Sequence, residues 1–108
     1  MISIDTVYMQ RALELSKKGI GYTNPNPLVG AVIVKEGRII GEGYHKYLGG
    51  PHAEIDAFQN AIEDVSGSTM YVTLEPCSHY GRTPPCAETI VKNKISKVVV
   101  GPQQIPIL

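Results

Sequence analysis

The sequence predicts an α/β fold, a three-layer α/β/α sandwich built around a mixed sheet. Two observations carry this prediction. Short apolar runs rich in β-branched residues alternate with segments whose apolar residues recur at helical spacing. The order of these segments is helix, hairpin and then strand–helix–strand–helix–strand, which is typical of a sheet with helices on its faces. We expect right-handed crossovers where a helix joins two parallel strands.

Local signals set the limits of the predicted elements. Ser3 or Asp5 can cap the first helix, and Gly19 is placed to end it. Gly41 and Gly43 within the second strand indicate a bulge or the close approach of another backbone. In chain order, the predicted elements are a helix at 4–18, strands at 28–34 and 39–44, a helix at 52–64, a strand at 69–74, a helix at 86–93 and a strand at 95–100.

Composition narrows the class of protein. The 108 residues are enough for one domain, and ten basic and ten acidic residues cancel. Since there is no block of Lys and Arg and no Trp, we expect no nucleic-acid partner. No apolar run approaches the ~20 residues that span a membrane, so we expect no membrane partner either. Residues 1–5 lack the features of a signal peptide, which favours the cytoplasm.

The residues suited to chemistry lie in two motifs, Pro-His-Ala-Glu and a later loop with two cysteines. His52, Cys77 and Cys86 are three suitable ligands for one catalytic zinc, which takes three ligands from the protein. Glu54 lies two residues beyond the first ligand and can move protons without binding the metal. This pattern resembles the H-x-E … P-C signature of the zinc deaminases.

The predicted elements bring these residues to one edge of the sheet. His52 and Glu54 open one helix and Cys86 opens another, with Pro84 or Pro85 at its start. Cys77 follows a strand, and sites in open α/β sheets gather where strands end. A helix amino terminus also lowers the pKa of a nearby thiol. We therefore expect a single site rather than four unrelated side chains.

Simpler interpretations remain open for each residue. A single buried Cys is usually a small hydrophobic residue, and Glu54 suits the first turn of any helix. A structural zinc with His79 as its fourth ligand is a second possibility. A Cys77–Cys86 disulfide is a third, which a reducing compartment disfavours.

The chain resembles the deaminase domain of the bifunctional riboflavin-biosynthesis deaminase–reductases, a cytidine-deaminase-like fold. The likeness covers about residues 5–101, and eight residues separate the two cysteines where cytidine and transfer-RNA deaminases have two. The matching residues are Asn24-Pro25-Asn26-Pro27 with the strand at 28–34, Gly41-Glu42-Gly43-Tyr44-His45, Pro51-His52-Ala53-Glu54 and the whole of 71–86.

The resemblance implies a substrate and further site residues. The substrate is a diamino-hydroxy-pyrimidine that carries a ribosylamino 5′-phosphate and loses its 2-amino group as ammonia. By the family's pattern Asn26 and His45 contact this substrate, and Arg82 meets its phosphate, for which a guanidinium is suited. From the residues alone, Asn26 is equally a turn residue and Arg82 equally a solvated charge.

The carboxyl-terminal residues depart from the family. Where the family has Asp-Pro-Asn-Pro, this chain has Pro-Gln-Gln-Ile-Pro at 102–106. We expect residues 1–108 to be a deaminase domain that is incomplete at its C-terminus and lacks the reductase. The strand at 95–100 would then be an open edge, from which we expect self-association into a homo-oligomer and weak activity. A zinc-stabilised module with little turnover, or a related nucleobase or nucleoside deaminase, remains the alternative.

Overall fold

The computed structural model describes residues 3–23, 28–73 and 85–101, with residues 85–87 described by their backbone alone. Within these ranges the chain forms one four-stranded sheet flanked by helices. The elements are α1 (Ile4–Ser16), a 3-10 helix (Lys17–Gly19), β1 (Gly30–Lys35), β2 (Arg38–Tyr44), α2 (Ala53–Gln59), β3 (Thr69–Val72), α3 (Pro85–Lys92) and β4 (Lys97–Val100).

The sheet is mixed, as predicted. Its strand order is β2-β1-β3-β4. Strand β1 is antiparallel to both neighbours, with Gly30 opposite Tyr44 of β2 and Ala31 opposite Val72 of β3. Strands β3 and β4 are parallel. The carboxyl ends of β2, β3 and β4 therefore share one edge of the sheet.

Helices cover both faces of this sheet, which confirms the three-layer sandwich. Alternate residues of a strand point to opposite faces, and β1 shows this directly. Val32 and Val34 pack with α1, whereas Ile33 packs with α2 and α3. The α1 layer contains Met9, Ala12, Leu15, Val32, Val34 and Tyr71, and the opposite layer contains Ala53, Ala57, Ile33, Met70 and Ile90.

Helix α1 begins at its predicted cap. The Ser3 hydroxyl accepts a hydrogen bond from the Thr6 N–H at 3.2 Å, as an N-cap residue does. Asp5, the other candidate, instead accepts from the Tyr71 hydroxyl at 2.6 Å and ties the helix to the sheet. The α-helix ends at Ser16, and the predicted end of the helix becomes a 3-10 turn.

The predicted helix at 52–64 is wrong in its second half, because α2 ends at Gln59. The Asn60 side-chain amide donates to the Glu42 carbonyl at 2.9 Å, and the Ile62 N–H bonds to a second carbonyl of β2. These bonds to the edge strand replace further helical turns. Ile62, which the helical pattern placed on an apolar stripe, is 77% exposed as a result.

Gly41 and Gly43 allow α2 to lie directly on β2. A Cβ at Gly43 would meet the Ala57 nitrogen, and it would lie 2.6 Å from the Ala53 carbonyl oxygen. A Cβ at Gly41 would lie 2.7 Å from the Ala57 carbonyl oxygen. The register also shifts between Ile33 and Val34, opposite this strand. The predicted close approach of another backbone is therefore confirmed, whereas the irregular position is Ile40, next to Gly41, and not a glycine.

We expect Gly43→Ala to destabilise the fold by about 1–3 kcal/mol, the usual cost of overpacking. The added methyl would meet backbone atoms, which cannot move aside as a flexible side chain does. Urea unfolding of the zinc-loaded protein measures the change. Gly37→Asn is the control, because Gly37 has φ +77° and open space, and Asn tolerates that conformation. Equal stability of Gly43→Ala and the wild-type protein would contradict the close approach.

The outer strands of the described sheet differ in how they are covered. Strand β2 receives the hydrogen bonds from 60–62, whereas β4 lies at the other edge with Val100 38% exposed. The predicted open edge at 95–100 thus corresponds to β4, and the self-association inferred from it stays a prediction. Among the described residues, no helix has the length and apolar character to cross a membrane.

Candidate active site

One edge of the sheet gathers the chain segments that carry the predicted site. At this edge β2 and β3 end and β1 begins. Two hydrogen bonds join the segments: the His45 N–H donates to the Val29 carbonyl at 3.0 Å, and the Thr73 N–H donates to the Gly30 carbonyl at 3.1 Å. The segment that connects β2 to α2 starts at this edge and ends at His52, the residue that precedes α2.

His52 is the N-cap residue of α2. Its extended backbone, with φ −69° and ψ 162°, lets its carbonyl accept from the Asp56 N–H at 3.0 Å. The imidazole is half-buried, and burial lowers the pKa of His52, with a smaller contribution from the nearby His45. The ring is therefore neutral at pH 7, which is the form that binds a metal.

Glu54 is the second residue of α2, and it is fully buried. The first turn of a helix carries partial positive charge, so a carboxylate is favoured there. Its position two residues after His52 puts an imidazole and a carboxylate at the start of the same helix. A buried carboxylate beside a possible metal ligand can accept and return a proton.

His45 lies against His52. Their ring centroids are 5.8 Å apart, and the rings meet edge to face at 85°. His45 is 1% exposed, and its Nδ1 is 3.0 Å from the Pro51 carbonyl oxygen. Because a carbonyl only accepts, Nδ1 carries the hydrogen in this bond. The structure thus brings His45, His52 and Glu54 to one edge of the sheet.

The remaining predicted site residues are only partly within the described chain. Cys86 is the second residue of α3, one position from the predicted start of that helix, and α3 packs beside α2, with Ile90 and Ala57 in the same apolar cluster. Cys77, Asn26, Arg82 and His79 lie outside the described residues, so the ligand set and the disulfide alternative stay predictions. Over the described ranges, no three or more His, Cys, Asp or Glu side chains are arranged so that they could hold a metal ion together.

The chemistry of His52 and Glu54 is compatible with a zinc ion. A neutral imidazole at a helix N-cap is a suitable zinc ligand, and Glu54 has the protected position that a proton-transfer group needs. The second helix that starts at this edge places the backbone of Cys86 within its first turn. Zinc sites commonly combine imidazole with thiolate, so the donor chemistry agrees with the predicted metal.

Sequence analysis missed Asp56 and Lys46. Asp56 is buried on α2, and its carboxylate accepts from the Lys46 ammonium at 2.7 Å and from the Tyr44 N–H at 3.1 Å. An acidic residue in a first helical turn has an ordinary explanation, and a lysine ten positions earlier gives no pattern. Only the path of the connecting segment brings the two together.

The fold and these residues define a class: a mixed-sheet α/β/α sandwich with the His-x-Glu motif of the zinc deaminases at the start of a helix. The chain belongs to the cytidine and deoxycytidylate deaminase family, whose zinc-binding-region model matches residues 2–102. The match confirms the predicted fold family and the predicted zinc.

Individual relatives agree with this assignment. The riboflavin biosynthesis protein RibD of Aquifex aeolicus is 59% identical over 98 residues, 91% of this chain and 28% of that protein. A Thermotoga maritima diaminohydroxyphosphoribosylaminopyrimidine deaminase/reductase superposes with TM-score 0.82 at 56% identity, over 90% of this chain and 29% of that one. The dCMP deaminase of cyanophage S-TIM5 superposes with TM-score 0.72 at 28% identity, over 90% and 81%.

The chain covers a small share of some relatives and a large share of others. The chain spans about a quarter of the riboflavin-biosynthesis proteins that it matches, for example 26% of the Actinobacillus pleuropneumoniae RibD and 28% of the Aquifex protein. It spans most of the phage dCMP deaminase. The likeness to the longer proteins therefore concerns their deaminase part.

Proposed function

We propose that this chain catalyses the hydrolytic deamination of 2,5-diamino-6-ribosylamino-4(3H)-pyrimidinone 5′-phosphate, with one zinc ion per chain. The pairing of His52 and Glu54 at the start of α2 carries the proposal. Identity of 54–59% to RibD proteins supports this substrate over other pyrimidines. In this reaction water adds to the ring carbon that bears the amino group, and ammonia leaves to give a carbonyl.

Different residues of the chain would bind the metal and transfer protons. His52, Cys77 and Cys86 would hold the zinc, which when bound supplies a Lewis acid that makes water reactive at neutral pH. Glu54 takes a proton from the attacking water and delivers protons to the ring nitrogen and the departing amine. Burial of Glu54 protects the proton from exchange with bulk solvent during this transfer.

Three further residues would bind the substrate. The edge-to-face packing of His45 on His52 and its hydrogen bond to the Pro51 carbonyl support a contact of His45 with the pyrimidine. Asn26 precedes β1 in the chain, and β1 begins at the site edge, which supports a role there. Arg82 would meet the phosphate, since a guanidinium binds phosphate through two hydrogen bonds. We extend the proposal to residues 1–108 as one deaminase unit that assembles as a homo-oligomer.

Ammonia release tests the function. We expect the zinc-loaded protein to release ammonia from the ribosylamino-pyrimidine phosphate and to stop when a chelator removes the metal. Cytidine and dCMP are the controls, and we expect little or no turnover of either. Preferred turnover of dCMP would favour the phage type of deaminase instead. Zinc binding without ammonia release from any substrate would favour a zinc-stabilised module.

A further inference from the structure

A carboxylate oxygen of α2 accepts hydrogen bonds from the end of β2 and from the connection that follows it. Oδ2 of Asp56 accepts from the Tyr44 N–H at 3.1 Å and from the Lys46 ammonium at 2.7 Å. These two donors lie on either side of His45 in the chain. The carboxylate therefore brackets the residue whose ring faces His52, although it touches neither histidine ring in these bonds.

This ion pair differs from an ordinary surface pair in its burial. The Asp56 side chain is 9% exposed and that of Lys46 is 40% exposed, so the carboxylate is shielded and the ammonium is partly solvated. The Lys46 ammonium also lies 4.1 Å from the centre of the Tyr44 ring. Burying a carboxylate costs free energy unless it is hydrogen-bonded. The geometry of the Asp56–Lys46 pair is therefore better defined than that of exposed pairs.

His45, which lies between these two donors, has further hydrogen bonds of its own. The His45 backbone N–H donates to the Val29 carbonyl, and its Nδ1 donates to the Pro51 carbonyl, each at 3.0 Å. Asp56 lies one helical turn beyond His52, whose carbonyl accepts its N–H. Asp56 is therefore bonded both to His52, at the start of α2, and to the segment that carries His45.

We propose that Asp56, together with Lys46, is a positioning residue that sets the His45 ring relative to the His52–Glu54 pair. This inference rests on the proposed function, in which His45 contacts the substrate. Loss of the pair would let the 44–50 segment move away from α2 while the zinc ligands stay in place. Substrate binding would suffer before metal binding or folding.

Kinetics of Lys46→Met and Asp56→Asn test the proposal. We expect each to raise KM for the pyrimidine phosphate by about five- to tenfold, with a smaller change in kcat and unchanged zinc content. Lys46→Arg should keep KM near the wild-type value, because a guanidinium can also donate to the carboxylate. Arg38→Met is the matched control, since it breaks the exposed Arg38–Glu63 pair at 2.6 Å, and it should change neither constant. Unchanged KM in both test variants overturns the proposal.

Amide hydrogen exchange keeps the test independent of turnover. In Asp56→Ala we expect faster exchange confined to 44–50, with the exchange of β1 and β3 unchanged. A rise spread over the whole sheet, or none at 44–50, overturns the positioning role. If the wild-type protein releases no ammonia from the pyrimidine phosphate, the proposed function fails, and the exchange pattern still decides whether Asp56 fixes this segment.

Discussion

Glu54→Gln is expected to retain zinc and the native fold and to lose turnover by about 10²–10⁴-fold, the usual contribution of a general acid–base group. The amide is close in shape to the carboxylate, so it fits the fully buried position in α2. It cannot accept the proton of the attacking water. Because the carboxylate acts both in the attack and in the departure of ammonia, we expect a loss at the upper end of this range. Ammonia release under saturating substrate gives kcat.

The control for this variant is Glu36→Gln, which removes a carboxylate from a side chain that is 78% exposed. We expect it to have wild-type kcat, zinc content and melting temperature. Loss of zinc in Glu54→Gln would instead identify Glu54 as a metal ligand and contradict its role in proton transfer. Wild-type turnover in that variant would remove Glu54 from the chemistry altogether.

The strands were predictable from sequence because their signal is local. The run at 28–34 is apolar and β-branched on both faces, which suits a strand between two helical layers, and β1 occupies Gly30–Lys35. The end of α2 was not predictable in this way. Residues 60–64 retain a helical spacing of apolar side chains, but hydrogen bonds from Asn60 and Ile62 to β2 outweigh that propensity.

The site was predictable to the extent that its residues are close in sequence. His52 and Glu54 belong to one short motif, and the helix start that presents them follows from that motif and its flanking residues. The Asp56–Lys46 pair depends on the course of 45–51, where Gly49 has φ +86° and turns the chain back toward α2. A turn of this kind fixes which distant side chains meet, and the residue types alone do not specify it.

Replacing both cysteines should abolish stoichiometric zinc binding. We expect the wild-type protein to keep one zinc per chain after exhaustive dialysis, and the Cys77→Ser, Cys86→Ser double variant to keep far less. A serine hydroxyl is a poor ligand at neutral pH, and His52 alone cannot hold the ion. At zinc concentrations 100 times Kd, bound metal adds about 2.7 kcal/mol to stability, or a rise in Tm of about 10 °C or more. Elemental analysis and thermal melts measure both effects.

His79→Ala separates a catalytic zinc from a structural one. With three protein ligands the variant keeps its zinc and its response to chelator, whereas a four-ligand structural site would lose affinity. Thiol titration of the unfolded, metal-free protein without reductant should find both of its cysteines free, since metal-bound thiolates are not paired as a disulfide. One zinc per chain in the double cysteine variant would overturn the ligand assignment. Any effect of a chelator on the melting temperature of that variant would then come from zinc bound by other residues. His52 and Glu54 would be the first of these to substitute.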